Sequence, residues 1–329
     1  MDWGTVIGNC LRAAIGPEAA IYALFVVGLN LHYGYTGLLN FGHVGFMLMG
    51  SYGLSVSVAT FDLSYWVGVP IGLAMAVALA LAMGLPTLRL RADYFAITTI
   101  ATAEILRFAV RSSSAVDLTG GPFGLQEVAG SFFALNPIPD GRYGNGTFVF
   151  SERTLWVMLV VWALALLATV LLARLVASPW GRVITAIRED EDATRSLGKD
   201  VFSYKMQSLV VGGLIGGLAG VMLATSTSAA NANSFQPQVT FFAFTILFLG
   251  GAATRIGPII GAMLFWFVYG GSDSLLREMA GADLLPGFLA EGVSIGAMRL
   301  VLVGAGLMAL MIFRPQGIFG DKRRMVLDA

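Results

Sequence analysis

The sequence contains few residues that could support redox, metal or nucleic-acid chemistry. Its single cysteine, Cys10, excludes an intrachain disulfide and a cysteine-rich metal cluster. Two histidines are too few for a multi-histidine metal site. The 20 basic and 20 acidic residues give a formal net charge of zero, which argues against nucleic-acid binding by the whole chain. We therefore expect no metal, no cofactor bound by this chain and no nucleic-acid partner.

Charged residues are also scarce, and this scarcity defines the class of protein. They make up 12% of the 329 residues, whereas soluble domains carry about 25%. Hydrophobic residues make up 57%, and the mean hydropathy is +0.77. The first fifteen residues lack the basic stretch, apolar run and cleavage site of a removed signal peptide. The composition predicts an integral membrane protein that lies in a lipid bilayer.

Apolar windows long enough to cross a bilayer predict an all-α polytopic membrane protein with about nine transmembrane helices. Residues 1–329 form one membrane domain, with two polar loops at 111–153 and 178–205. Glycine rows at residues 212–220 and at 257 and 261 predict closely packed helices. The predicted spans are 19–33, 41–60, 65–88, 94–110, 154–177, 204–225, 239–249, 257–271 and 294–313.

The positions of lysine and arginine predict the orientation, because basic residues near span ends stay on the cytoplasmic side. Nine spans with a cytoplasmic carboxyl terminus place thirteen of the twenty basic residues inside. Loop 178–205 is then cytoplasmic, and loop 111–153 and the amino terminus are extracytoplasmic. If the short seventh span is only re-entrant, the amino-terminal half inverts and the basic turn at Arg89 and Arg91 lies outside.

The loop at 178–205 carries ten of the forty charged residues between two apolar runs. Ser178 and Pro179 predict a helix start, with the serine hydroxyl capping free backbone amides. The acidic run 189–192 predicts a second start, and Gly198 then ends a short helix over 191–197. The residues alone leave two interpretations open, a plain solvated loop or a docking element.

Polar residues within the apolar spans are expensive unless they are paired or face a cavity. Residues 40–45 predict a break in a helix, where polar groups either contact substrate or bond to neighbouring helices. Glu104 lies three residues before Arg107, which favours an ion pair over proton coupling. Residues 119–124 predict a rigid outer turn, either a plain turn or part of a cavity mouth. The candidate pathway residues are Asn30, Asn40, Phe41, Gly42, His43, Thr119, Gly120, Gly121 and Phe123.

Several motifs together resemble one family of transport proteins. Glu191, Ala193, Leu197 and Gly198 match the short loop helix of ATP-binding-cassette (ABC) importer permeases, although Thr194 stands where a second alanine is expected. The other motifs occur in the order found in the second permease type of the branched-chain amino acid importers. They are Leu29–Leu31, Gly34–Gly37, Asn40–His43, Leu90–Ile97, Leu118–Gly124, Leu249–Gly251 with Gly257–Pro258, and Phe313–Gly317.

The resemblance implies a permease subunit in a bacterial cytoplasmic (inner) membrane. A second homologous permease, two cytoplasmic ATPases and an extracytoplasmic binding protein would be its partners. The chain has no phosphate-binding loop, so ATP would be hydrolysed by another chain, and ATP and magnesium belong to the ATPases. As a permease subunit, the chain is expected not to be an enzyme. Branched-chain amino acids are the implied substrates, while urea, short amides, other amino acids and an ion-coupled secondary transporter remain alternatives. The implied ATPase-coupling residues are Arg188, Glu189, Asp190, Glu191, Ala193, Leu197 and Gly198.

Overall fold

The computed structural model describes residues 3–281, 296–302, 304, 305, 308 and 318, and it is mostly helical. Its long helices pack side by side, and two small antiparallel sheets lie in the connecting segments. The helices that have named bounds are α1 Trp3–Ile15, α2 Pro17–Leu29, α3 Val44–Ala59, α4 Tyr65–Thr87, α5 Ala92–Arg111, α6 Val116–Thr119, α7 Gly130–Phe133, α8 Glu152–Ala177, α9 Pro179–Glu189, α10 Glu191–Ser196, α11 Val201–Thr227, α12 Pro237–Gly250 and α13 Gly257–Gly281.

The two sheets tie together loops that the sequence predicted as irregular. Strand β1, Leu125–Gln126, pairs with β4, Ala229–Ala230, and so joins the loop 111–153 to the end of α11. Strands β2, Arg142–Asn145, and β3, Phe148–Ser151, form a hairpin within the same loop. The loop 111–153 is therefore a folded element, because its backbone hydrogen bonds are satisfied by these strands and by α6 and α7.

A helix lies at each of the first eight predicted span positions, and the ninth, 294–313, falls largely outside the described residues. By length and composition, five described helices could cross a membrane. Helices α3 and α12 have 16 and 14 residues, about 24 and 21 Å at 1.5 Å per residue, and are shorter than the roughly 30 Å core.

Helix α1 lies before the first predicted span, where no helix was expected. The prediction was incomplete because the apolar residues of α1 lie on one face and do not form a continuous run. The structure places α1 along α13, and the Asn9 side chain donates to the Ser274 hydroxyl across 3.1 Å. The first apolar helical segment is thus the longer range 3–35.

Helix α11 is the centre of the bundle, as its glycine row predicted. It packs against α2, α3 and α4. A Cβ atom built at Gly220 lies 1.9 Å from the Met47 carbonyl oxygen, and one at Gly50 lies 2.0 Å from the Gly217 carbonyl oxygen. These positions therefore exclude any side chain, because α3 and α11 touch through their backbones.

The chain between α2 and α3 is broken, which agrees with the break predicted at 40–45. A π-helix, Asn30–Tyr35, follows α2, and residues 37–40 have no regular structure. Residues 41–43 form a turn, and α3 begins at Val44. Backbone groups of such a segment need partners inside the protein when they lie at membrane depth.

Helix α9 begins at Pro179, as predicted, but the predicted cap is wrong. The Ser178 hydroxyl donates back to the Leu175 carbonyl at 2.6 Å and accepts no amide of α9. Ser178 therefore closes the end of α8, where the last carbonyls of the helix lack partners. Proline at the first position of α9 lacks one of the donors that a cap would serve.

Replacing Gly220 by alanine should destabilise the protein more than the same change at Gly213. The new Cβ at Gly220 meets a backbone carbonyl, whereas the one at Gly213 lies 3.0 Å from the movable Phe46 ring. Overpacking costs about 1–3 kcal/mol, and the helix propensity gained is the same in both variants. Thermal unfolding of the purified proteins in detergent measures the difference. Equal melting temperatures for the two variants would contradict the backbone contact.

Candidate functional site

The short helix α10 is built by capping and charge interactions within the loop. Asp190 Oδ1 accepts the Ala193 amide at 2.9 Å, which caps the amino-terminal end. Arg195 pairs with Glu191 at 2.8 Å and with Asp192 at 3.0 Å along the helix surface. The helix ends at Ser196, one residue before the predicted end, so the predicted helix is confirmed.

The end of α10 projects an apolar side chain and a glycine into solvent. Leu197 is 80% exposed, and Ala193 and Gly198 are exposed beside it. Gly198 has φ +77°, and a Cβ built there meets no atom within 4 Å. Thr194 is buried, and its hydroxyl donates to the Asp190 carbonyl at 2.8 Å. Its polar group is therefore satisfied within the chain, which accounts for threonine at a position where the motif has alanine.

Two basic residues anchor α9 and α10 to the helices of the bundle. Lys205 on α11 forms an ion pair with Glu191, and both side chains are at least partly shielded from water. Arg188 donates to the Gly34 carbonyl in the π-helix and pairs with Glu189 at 2.6 Å. The helix α10 is therefore attached to α11, and α9 is attached to the broken segment 30–43. Arg188 and Glu189 were candidates from the sequence analysis. Lys205 was not predicted, because its partner Glu191 lies 14 residues away.

Asp200 caps the start of α11, two residues after Gly198. Its carboxylate accepts the Ser203 hydroxyl and the Ser203 amide. These hydrogen bonds lower the pKa of the Asp200 carboxyl, so the cap is present above the usual titration range and is lost as the pH falls through the lowered pKa. Both helices that flank Gly198 thus begin at a capping aspartate.

Asn30 joins the π-helix to the loop that precedes α13. Its side-chain amide donates to the Thr254 carbonyl at 2.9 Å, and its carbonyl oxygen accepts the Ala253 amide at 2.9 Å. Asn30 is 1% exposed. Both functions of the carboxamide are therefore used inside the protein.

Two histidines and Asn40 form a buried cluster beside α11. The Asn40 amide lies 3.3 Å from His32 Nδ1, and His32 Nε2 lies 3.2 Å from the Leu209 carbonyl oxygen. His43 Nε2 lies 3.1 Å from the Phe25 carbonyl oxygen, and the two imidazole rings are 5.0 Å apart. All three residues are inaccessible to solvent. They hold the broken segment to α2 and α11.

Phe41 and Gly42 lie between α5 and α12. A Cβ built at Gly42 lies 2.0 Å from the Thr99 carbonyl oxygen, so the segment touches the backbone of α5. The Phe41 ring lies 4.9 Å from that of Phe244 and 5.7 Å from that of Phe241. The candidates from residues 30–43 are thus gathered in the interior of one half of the bundle.

The turn at residues 119–124 lies at a different place. Thr119 donates to the Val110 carbonyl at 2.7 Å, and Gly120 and Gly121 have φ +72° and +53°. Phe123 is 83% exposed, and the described hydrogen bonds of the turn reach residues 110, 115, 116 and 231 and none of residues 30–43. The structure therefore does not bring the two candidate sets into one site.

The predicted ion pair between Glu104 and Arg107 is confirmed. Both guanidinium nitrogens involved, Nε and a terminal nitrogen, lie 2.8 Å from the two carboxylate oxygens. This two-pronged geometry gives the pair two charge-assisted hydrogen bonds. Among the described residues no group of three or more metal-ligating side chains is present.

The packed helices and the projecting charged loop define a multi-pass membrane protein of the permease class. The family model described as "Branched-chain amino acid transport system / permease component" matches residues 15–312. The chain belongs to this family.

Three relatives illustrate the similarity. The Escherichia coli high-affinity branched-chain amino acid transport system permease protein LivM is 30% identical over 314 residues, which cover 92% of this chain and 69% of the relative. The probable branched-chain amino acid transport permease protein LivM of Methanocaldococcus jannaschii is 25% identical, with 92% and 91% covered. The Escherichia coli permease protein LivH is 27% identical, with 91% of both chains covered.

Replacing Asn30 by leucine should destabilise the protein by at least about 1 kcal/mol, because the Ala253 amide and the Thr254 carbonyl lose their hydrogen bonds to the Asn30 side chain. The matched control is Asn9→Leu, which removes one hydrogen bond at a less buried position. Thermal unfolding in detergent compares the two variants. A smaller loss for Asn30→Leu than for Asn9→Leu would show that the bridge to residues 253–254 is not a main support of the fold.

Proposed function

We propose that this chain is a membrane-spanning subunit of an ATP-driven importer for branched-chain amino acids. The carrying observation is α10, a capped helix that projects Leu197 and Gly198 into water and is tied to α11 by the Lys205–Glu191 pair. An exposed apolar tip on a rigid, charged support is suited to docking in a cleft of another protein. The family match makes a cytoplasmic ATPase the appropriate partner, with Arg188, Asp190 and Ala193 in the same docking element.

Basic residues that meet at one end of the bundle support the proposed orientation. Arg91, Arg188 and Lys205 line one pocket with Glu191, and Arg182 and Arg255 line a second pocket beside it. Basic residues near span ends favour the cytoplasmic side. In the proposed arrangement this end faces the cytoplasm of a bacterial cell, and the turn at residues 119–124 faces outward, across the inner membrane.

In the proposed mechanism, a movement of α10 is transmitted to the helices of the bundle. Two ATPase subunits, which bind ATP and magnesium, close on each other and displace α10. The Lys205–Glu191 pair passes the movement to α11, whose backbone contacts α3 and whose carbonyl at Leu209 meets His32. A second homologous permease forms the other wall of the cavity, and alternating access follows from the tilt of the two halves.

The relatives are named as branched-chain amino acid permeases, and we extend that substrate class to this chain. An extracytoplasmic binding protein would deliver the amino acid.

Reconstituted vesicles that contain the whole complex test the assignment by uptake of labelled leucine, with isoleucine, valine, urea and a short amide as competitors. Uptake that needs ATP and is inhibited only by the aliphatic amino acids is expected. Competition by urea or the amide would favour the alternative substrates, and uptake driven by an ion gradient without ATP would favour a secondary transporter.

Gly198→Asp should leave the protein folded but end the stimulation of ATP hydrolysis by substrate in the assembled complex. The position has room for a side chain, and aspartate adds a charge at the proposed contact. The matched control is Gly198→Asn, which has nearly the same size and tolerates the left-handed conformation but has no charge. The asparagine variant should keep more of the stimulation. Normal stimulation in Gly198→Asp would exclude Gly198 from the docking contact.

A further inference from the structure

Helix α5 lies at a predicted span and is long enough to cross a membrane, but it carries charge and is not among the five helices that are also apolar enough. It has 20 residues, and the Glu104–Arg107 pair lies well inside it, with 26% of the Glu104 side chain exposed. Charged side chains within a membrane almost always face protein or a water-filled cavity. The edge of α5 that carries Glu104 is therefore poorly suited to contact with lipid.

Helix α8 shows what a lipid-facing helix of this protein looks like. Its acidic and basic residues, Glu152, Arg153 and Arg174, lie in its first and last turns. Its large exposed side chains between them are only leucine and valine, at 159, 166, 167, 170 and 171. Helix α5 differs from α8 in carrying a partly exposed carboxylate, Glu104, away from its ends.

The exposed face of α5 is an apolar stripe with polar edges. Its members are spaced three or four residues apart, which places them on one side of the helix. At 100° per residue, Glu104 lies at one edge of the stripe, and Thr98 and Thr102 lie at the other. Both hydroxyls donate to carbonyls of the preceding turn, at 2.7 and 2.8 Å, and their oxygens still have a free lone pair. The stripe consists of Tyr94, Ile97, Ala101, Ile105 and Phe108, all exposed.

This arrangement matches the chemistry of an aliphatic amino acid. The hydrocarbon side chain of such a molecule would lie on Ile97, Ala101 and Ile105, where water is displaced from apolar surface. Its ammonium group would meet the Glu104 carboxylate, which two hydrogen bonds from Arg107 hold in place. The opposite side of α5 is packed through Thr99 against Gly42 in the broken segment.

We propose that this face of α5 lines the water-filled cavity through which an aliphatic amino acid passes, with Glu104 as the group that meets its ammonium. The inference rests on the proposed importer function and identifies its substrate path. It places the path on the open side of α5, while the buried residues 30–43 support that helix from behind.

Single-cysteine labelling tests the position of the cavity. Cys10 is the one natural cysteine, so Cys10→Ser provides the background, and Ala101→Cys is introduced into it. The complex is reconstituted in vesicles and treated with a membrane-impermeant, water-soluble thiol reagent. We expect the cysteine at 101 to react, and leucine at ten times its Kd to slow the reaction about tenfold. The control is Leu167→Cys on α8, which is 53% exposed and should not react.

The possible outcomes separate this inference from the proposed function. ATP-driven leucine uptake by the Cys10→Ser background tests the importer function in the same vesicles. If uptake is present while the cysteine at 101 is inert, or reacts at a rate that leucine does not change, the α5 inference is wrong and the importer assignment stands. If uptake is absent from the background protein, the importer function fails first.

A second variant tests the role of Glu104. Glu104→Gln keeps the size of the side chain and one acceptor for Arg107 but removes the negative charge. We expect the KM for leucine uptake to rise about tenfold, because the variant loses one charge-assisted hydrogen bond to the ammonium group. The kcat should change little. Ala101→Trp, which fills the stripe, should abolish uptake without lowering the melting temperature. A lower melting temperature for Glu104→Gln with an unchanged KM would leave Glu104 a structural role only and overturn its part in the proposal.

Discussion

The backbone contact between α11 and α3 is the constraint on which the other features depend. Because Gly50 on α3 and Gly220 on α11 have no side chains, the two helices approach until each glycine touches a carbonyl of the other helix. Gly212 does the same for His32, whose ring nitrogen lies 2.2 Å from a Cβ built at that position. A broken, polar segment can remain inside a membrane protein only if its groups find partners, and α11 supplies one at the Leu209 carbonyl.

The same helix connects the interior to the charged loop. It starts one residue after Asp200, close to the end of α10, and Lys205 in its second turn holds Glu191. A displacement of α10 therefore acts on α11 directly, through an ion pair and a short connection with little slack. Since α11 meets α3 backbone to backbone at Gly50 and Gly220, little can absorb that displacement at this contact. The packing that holds the broken segment is also suited to transmitting movement.

Local chemistry could be predicted from the sequence, whereas distant contacts could not. The ends of α10, the break before Val44 and the Glu104–Arg107 pair each depend on residues a few positions apart, so spacing was sufficient. Asn30 and Ala253 are 223 residues apart, and no local pattern relates them. The predicted Ser178 cap was wrong because Ser178 lies between the end of α8 and the start of α9, and its hydroxyl bonds to α8. Helix α1 was missed because it packs one apolar face on α13 and has no long apolar run.

The buried polar residues also show why polarity within a span is an ambiguous sign of a transport path. Asn30 bonds to backbone groups through both its amide nitrogen and its carbonyl oxygen, and His32 and His43 each bond to a helix carbonyl, so these side chains hold the helices together. A path needs groups that water can reach. On α5 the polar atoms are fewer, but they border an open apolar stripe. The relevant sign is therefore a charged side chain that remains accessible on an outward face, and burial of a polar group by itself indicates packing.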